Sequence, residues 1–144
     1  MIEETRRPAA VQVRRLSHLS FEARNERGGT LAMGSGDSDD FTPVELLMAA
    51  IAGCGAIDVD LITHRRSEPD LFDVDVTASK VKDSTGNRLE DIEVTFRVTF
   101  PEGEDGDRAR VLLGRGIQQA HDRLCTVSRT IELGTPVTMK GSDA

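Results

Sequence analysis

The chain has 144 residues, of which 38% are apolar and 30% charged, with a formal net charge of −7. That size fits a single domain over residues 1–144, with 1–10 as a flexible N-terminal lead, and the acidic balance argues against a nucleic-acid surface, because phosphate contacts need clustered Lys and Arg. The N-terminus MIEETRRPAAVQVRR lacks the apolar centre of a secretory signal, and the apolar stretch from Leu46 to Ile57 is too short to span a bilayer.

The first third reads as short strands. VQVRRL (11–16) alternates, HLSFEA (18–23) supplies the next strand, ERGG (26–29) turns the chain, and TLAM (30–33) returns it. A polar loop, GSGDSDD (34–40), then leads to TPVELLMAAIAGCGAIDVDLITHRR (42–66), which reads as a long helix. Its start is well marked. Thr42 caps it, Pro43 occupies the first turn, Glu45 completes a capping box, and Phe41 and Leu46 form the staple. Leu47, Ala50, Ile51, Cys54, Ile57, Asp58, Leu61 and Ile62 share one broad stripe. Gly53 and Gly55 each cost about 1 kcal/mol of helix propensity relative to alanine. Close packing against a sheet or a second helix is the expected compensation, and the helix is expected to be central and buried.

DVDVTASKV (73–81) and IEVTFRVTF (92–100) alternate as a hairpin pair turning at Gly86–Asn87, with Ile92, Val94, Phe96, Val98 and Phe100 on the core face. DRARVLLGRGIQQAHDRL (107–124) reads as a second helix capped by Asp107, and TIEL (130–133) and PVTM (136–139) as closing strands. With no Trp or Tyr and five Phe, the core rests on small aliphatic side chains. Domains of that kind often bury further apolar surface by oligomerising.

Two cysteines remain as carriers of chemistry, Cys54 in the helix of small residues and Cys125 just after the second helix. Taken singly, each is as readily a small core hydrophobe as a reactive thiol. In a reducing, cytoplasmic setting, which is the expected location, such residues are more often free, metal-bound or redox-active than a permanent staple. Familiar metal, nucleotide and dinucleotide motifs are lacking, so no cofactor is expected. A zinc site from Cys54, Asp58, His121 and Cys125 has no local spacing signature. His121 reads as a helix-end histidine and Asp58 as a helix–helix hydrogen-bonding residue.

The block F41-T-P-V-E-L-L-M-A-A-I-A-G-C54-G-A-I-D-V59 and the second block H121-D-R-L-C125-T-V127-S resemble the two signatures of the OsmC/Ohr superfamily. The order of elements is similar over about residues 8–140. The resemblance implies an α+β OsmC-like fold: N-terminal antiparallel strands, a long central cysteine-bearing helix, a second sheet and a second long helix, in an intertwined homodimer with sites at the subunit interface. It implies reduction of organic hydroperoxides, with Cys54 as the peroxidatic thiol, Cys125 as its resolving partner and an external dithiol as reductant. The family's activating arginine maps best to Arg24, with Arg27 as its rival. Val44 follows Pro43 where family hydroperoxidases carry the glutamate that holds that arginine. A non-peroxidatic alternative is a protein of the same fold that binds a small apolar or thiol-containing ligand.

Overall fold

The structure, a computed structural model, describes residues 3–142. Residues 1–2 of the expected N-terminal lead lie outside the described residues, and 3–10 have no regular structure. The chain divides into two compact units with the boundary between Leu47 and Met48.

The first unit is a three-stranded antiparallel sheet of β1 (Val11–Ser17), β2 (Ser20–Asn25) and β3 (Thr30–Met33), in the order β1-β2-β3. β2 begins later than HLSFEA suggests, because His18 and Leu19 make the turn, Leu19 with a φ of 59° in the left-handed region. The turn at 26–29 forms as expected. Asn25 Oδ1 accepts from the N–H groups of Arg27 at 3.0 Å and Gly29 at 2.8 Å, and Gly28 supplies the positive φ of 90°.

Helix α1 (Pro43–Thr63) opens with the expected reciprocal box. Thr42 N–H donates to Glu45 Oε1 at 2.8 Å, and Glu45 N–H donates to Thr42 Oγ1 at 3.2 Å. At 21 residues α1 is long and apolar enough to cross a bilayer by length and composition, contrary to the expectation drawn from Leu46–Ile57 alone. The same run serves a protein core, where Ile51, Ala52, Gly55, Val59 and Thr63 are buried. The expectation of a thoroughly buried helix is corrected, since Ile57 and Leu61 are 65% and 66% exposed.

In the second unit, β4 (Leu71–Asp83) and β5 (Gly86–Thr99) form one long antiparallel hairpin. The turn falls at Ser84–Thr85 rather than at Gly86–Asn87. Asp83 sets it there: its carboxylate accepts from the Thr85 N–H at 2.9 Å, from Thr85 Oγ1 at 2.6 Å and from Arg88 at 2.6 Å. The Thr85 hydroxyl, then Arg88, hold the Asp83 carboxyl down at about 2. Phe72, Val74 and Val76 share the inward face with Val94, Phe96 and Val98, and Phe72 meets Phe96 edge-on at 6.4 Å. Arg97 faces outward onto Asp75 at 3.0 Å.

The glycines of α1 and α2 (Glu104–Gln119) find part of the expected compensation. A Cβ on Gly55 would stand 3.3 Å from Phe96 Cζ, and one on Gly116 would stand 3.4 Å from Ile62 Cγ2. Sheet and helix both approach α1 at these points. α2 starts three residues before the expected Asp107, with Gly103 at its N-cap, and Asp107 instead pairs with Arg110 at 2.5 Å.

The end of the chain corrects the sequence reading most. The second helix stops being α-helical at Gln119 and continues as a π turn, Ala120–Leu124, whose hydrogen bond runs from Cys125 N–H to Ala120 O at 2.9 Å. TIEL is part of helix α3 (Thr126–Glu132), and 135–142 has no regular structure. Two caps override the β-branched composition. Cys125 caps the N-terminus, while Gly134 takes a φ of 67° and Thr135 N–H reaches back to Thr130 O at 3.3 Å.

Candidate active site

Cys54 lies mid-way along α1, and Cys125 at the junction of the π turn with α3. The fold brings these distant residues together. Both thiols are free, and Cys54 donates a hydrogen bond to the Cys125 sulfur. Cys125 is 2% exposed and Cys54 is half-buried.

The surroundings of the two sulfurs differ. Burial is the largest influence on Cys54 and pushes its thiol up. The Val127 N–H opposes that, while Cys125 and the Asp58 carboxylate add to the rise. Burial is also the largest influence on Cys125, but it is outweighed. The Ser128 hydroxyl, the Cys54 thiol and the N–H groups of Ser128 and Val127 together bring Cys125 below its ordinary value. Ser128 N–H donates to Cys125 Sγ at 3.4 Å, and the Cys125 thiol donates to Ser128 Oγ at 3.3 Å. When Cys125 ionises, the hydroxyl can turn and donate in its place. The hydrogen-bond pattern therefore favours the negative charge on Cys125 and the proton on Cys54.

A cavity of about 410 Å³ opens beside the pair. Ile51, Gly55, Val94, Phe96, Ile117 and Ile131 form much of its apolar wall, and Gln118, His121, Ser128 and Glu132 are polar. Cys125 is the cysteine on this wall. His121 is more than the helix-end residue expected from sequence. Nδ1 lies 2.9 Å from Asp122 Oδ1 and Nε2 lies 3.1 Å from Glu132 Oε1, so the ring ties the π turn to α3. Hydrogen bonding to Asp122, then to Glu132, pushes the His121 pKa up.

Asp58 follows Cys54 by one helical turn, and its Oδ2 is a buried oxygen without a hydrogen-bond partner among the described residues. Arg24 belongs to β2 in the first unit, with its guanidinium 3.4 Å from Glu22. Arg27 sits at the tip of the first-unit turn. Glu45, one place after Val44, is engaged in the capping box. Sequence reasoning missed Ser128, Gln118 and Glu132. The C-x-x-S spacing of 125–128 was the available signal for Ser128, since a capping side chain meets the N–H three residues on.

Helix, hairpin, cysteine pair and adjoining cavity define a member of a thiol-bearing α+β class. Residues 35–140 match the OsmC-like protein family, and the chain belongs to that family. An uncharacterized protein of Mycobacterium tuberculosis is 33% identical over 132 residues, which span 91% of this chain and 94% of the relative. The crystal structure of an OsmC-like protein from Mycoplasma pneumoniae superposes with a TM-score of 0.68 at 15% identity, covering 89% of each chain. An organic hydroperoxide resistance protein from Elizabethkingia anophelis superposes with a TM-score of 0.59 at 14% identity, covering 89% of this chain and 91% of its own. These two likenesses are of fold.

Proposed function

We propose that the protein is a cytoplasmic, homodimeric, thiol-dependent peroxidase that reduces organic hydroperoxides to alcohols. The observation that carries this reading is the hydrogen-bonded Cys54–Cys125 pair beside an apolar cavity. Cys54 passes its proton to the Cys125 sulfur and attacks the outer peroxide oxygen. The O–O bond breaks, and the alkoxide leaves as alcohol with that proton. Cys54 is then a sulfenic acid. The Cys125 thiolate attacks the Cys54 sulfur, the S–O bond breaks, and hydroxide leaves to form water with a solvent proton. An external dithiol reduces the disulfide by attacking Cys54, because Cys125 is the better-stabilised leaving thiolate. Arg24 is assigned to support of the Cys54 thiolate on the family resemblance alone. The homodimer is supported by the apolar side chains left uncovered on the second unit, including Ile57, Leu61 and Val111.

A second reading, a ligand-binding member of the same fold, is favoured by the raised Cys54 pKa and by Val44 after Pro43. Intact mass and free-thiol count after a stoichiometric pulse of cumene hydroperoxide separate the two. The peroxidase forms a Cys54–Cys125 disulfide, and Cys125→Ser accumulates sulfenic acid on Cys54. Two thiols that stay reduced would refute the peroxidase and leave the ligand binder.

A further inference from the structure

The backbone donors on the sulfur pair come from the start of α3. Val127 N–H reaches both Cys54 and Cys125, and Ser128 adds its N–H and its hydroxyl at Cys125. The placement of α3 therefore decides whether these groups meet sulfur. Burial does not fix that placement: no residue of α3 is buried, and a helix this short is marginal by itself. It falls to links with the π turn. The Cys125 cap and Arg129, whose Nη1 donates to the Asp122 carbonyl at 3.1 Å, pin the first half of α3. The far end is held by Glu132, whose Oε1 lies 3.1 Å from His121 Nε2. Asp122 Oδ1 steadies the same ring from its other nitrogen at 2.9 Å.

We propose that Glu132, acting through His121, is a positioning residue for the sulfur pair: the bridge stops α3 from pivoting and keeps the Val127 and Ser128 donors on Cys125. Its part in closing the disulfide rests on the peroxidase reading; its effect on Cys125 does not. Glu132 influences Cys125 in two opposed directions. It shares the cavity wall with Cys125, and as an anion there it disfavours a Cys125 thiolate. As a strut it preserves the hydrogen bonds that favour one. Losing the charge alone lowers the Cys125 midpoint, whereas losing the strut raises it.

The test compares Glu132→Ala with Glu132→Gln in the full chain. Glutamine keeps a carbonyl acceptor for His121 without the charge, and alanine drops both while remaining a good helix former. Cys125 alkylation by iodoacetamide is followed across a pH series, together with amide hydrogen exchange at Val127 and Ser128. An exposed bridge of this kind shifts a docking equilibrium by up to about fivefold. Glu132→Ala is therefore expected to raise the Cys125 midpoint by roughly half a unit, about threefold in thiolate, and to speed exchange at both amides about two- to fivefold. Glu132→Gln is expected to leave exchange at the wild-type rate, with a midpoint that holds or falls. In the peroxidase, closure of the disulfide onto oxidised Cys54 slows about threefold in Glu132→Ala at neutral pH. A midpoint that holds or falls in Glu132→Ala overturns the strut, as does a rise of equal size in Glu132→Gln. Wild-type thiols that stay reduced under cumene hydroperoxide refute the peroxidase instead, and the labelling and exchange comparison still decides the strut.

Discussion

Ser128→Ala isolates the group that makes the two cysteines unequal. The substitution removes the oxygen 3.3 Å from Cys125 Sγ and keeps the backbone N–H at 3.4 Å. A hydrogen bond to a charged group contributes about 1.5–3 kcal/mol. Sulfur contacts are longer and softer, and the Val127 and Cys54 donors persist, so about 1 kcal/mol is the reasonable loss. At 1.36 kcal/mol per pKa unit this raises the Cys125 pKa by somewhat under one unit. The sign is fixed, because Cys125 is held below its ordinary value and the variant releases it upward. The assay is alkylation by limiting iodoacetamide across a pH series, with peptide mapping to separate the sites. In the wild-type protein the pH midpoint of Cys125 labelling lies below that of Cys54. In the variant the Cys125 midpoint moves up, and its labelling at neutral pH slows about fivefold. A midpoint that stays put or moves down, in a variant that retains the native circular dichroism spectrum, would refute the asymmetry of the pair.

Asp58→Asn removes an anion that raises the Cys54 pKa; the Cys54 labelling midpoint is expected to fall, by less than burial alone raises it, and an upward move would contradict the charge effect. His121→Ala tests the link between the π turn and α3. The folded-state pKa of His121 lies above its ordinary 6.5, so its contribution to stability is full below that value and is lost as pH rises through the shifted pKa. The melting-temperature deficit of the variant should therefore be larger at pH 5.5 than at pH 9. Gly106→Ala would place a Cβ 1.8 Å from Pro101 O, which forces the backbone to move; urea unfolding should show a loss of about 2 kcal/mol or more.

Legibility in the sequence followed the range of the interactions. The capping box from Thr42 to Glu45, the strands through Met33 and the alternation of Ile92, Val94, Phe96 and Val98 are set within a few residues, and each was readable. The turn at Ser84–Thr85 was misplaced because the Asp83 carboxylate outbids the glycine for its position. TIEL carries strand-forming residues, yet the Cys125 and Gly134 caps make its segment helical. The family blocks pointed to both cysteines, but the order of their acidities depends on Ser128, Val127 and Asp58, and spacing alone shows neither sulfur hydrogen bonds nor burial. His121 joined to Glu132 is likewise a contact between two elements, one of which carries strand-forming residues in its sequence.

The π turn before Cys125 makes the candidate active site a matter of chain length as well as of residue identity. Cys125 N–H closes onto Ala120 O, five residues back; an uninterrupted α-helix would close onto His121 instead, and each residue of slip swings a side chain by about 100°. Removing Leu124 would carry the second sulfur away from Cys54 with every side chain described at the site still present. The proposed redox pair would be uncoupled here by deletion alone, so the number of residues between Gln119 and Cys125 matters to that proposal as much as the presence of the two cysteines.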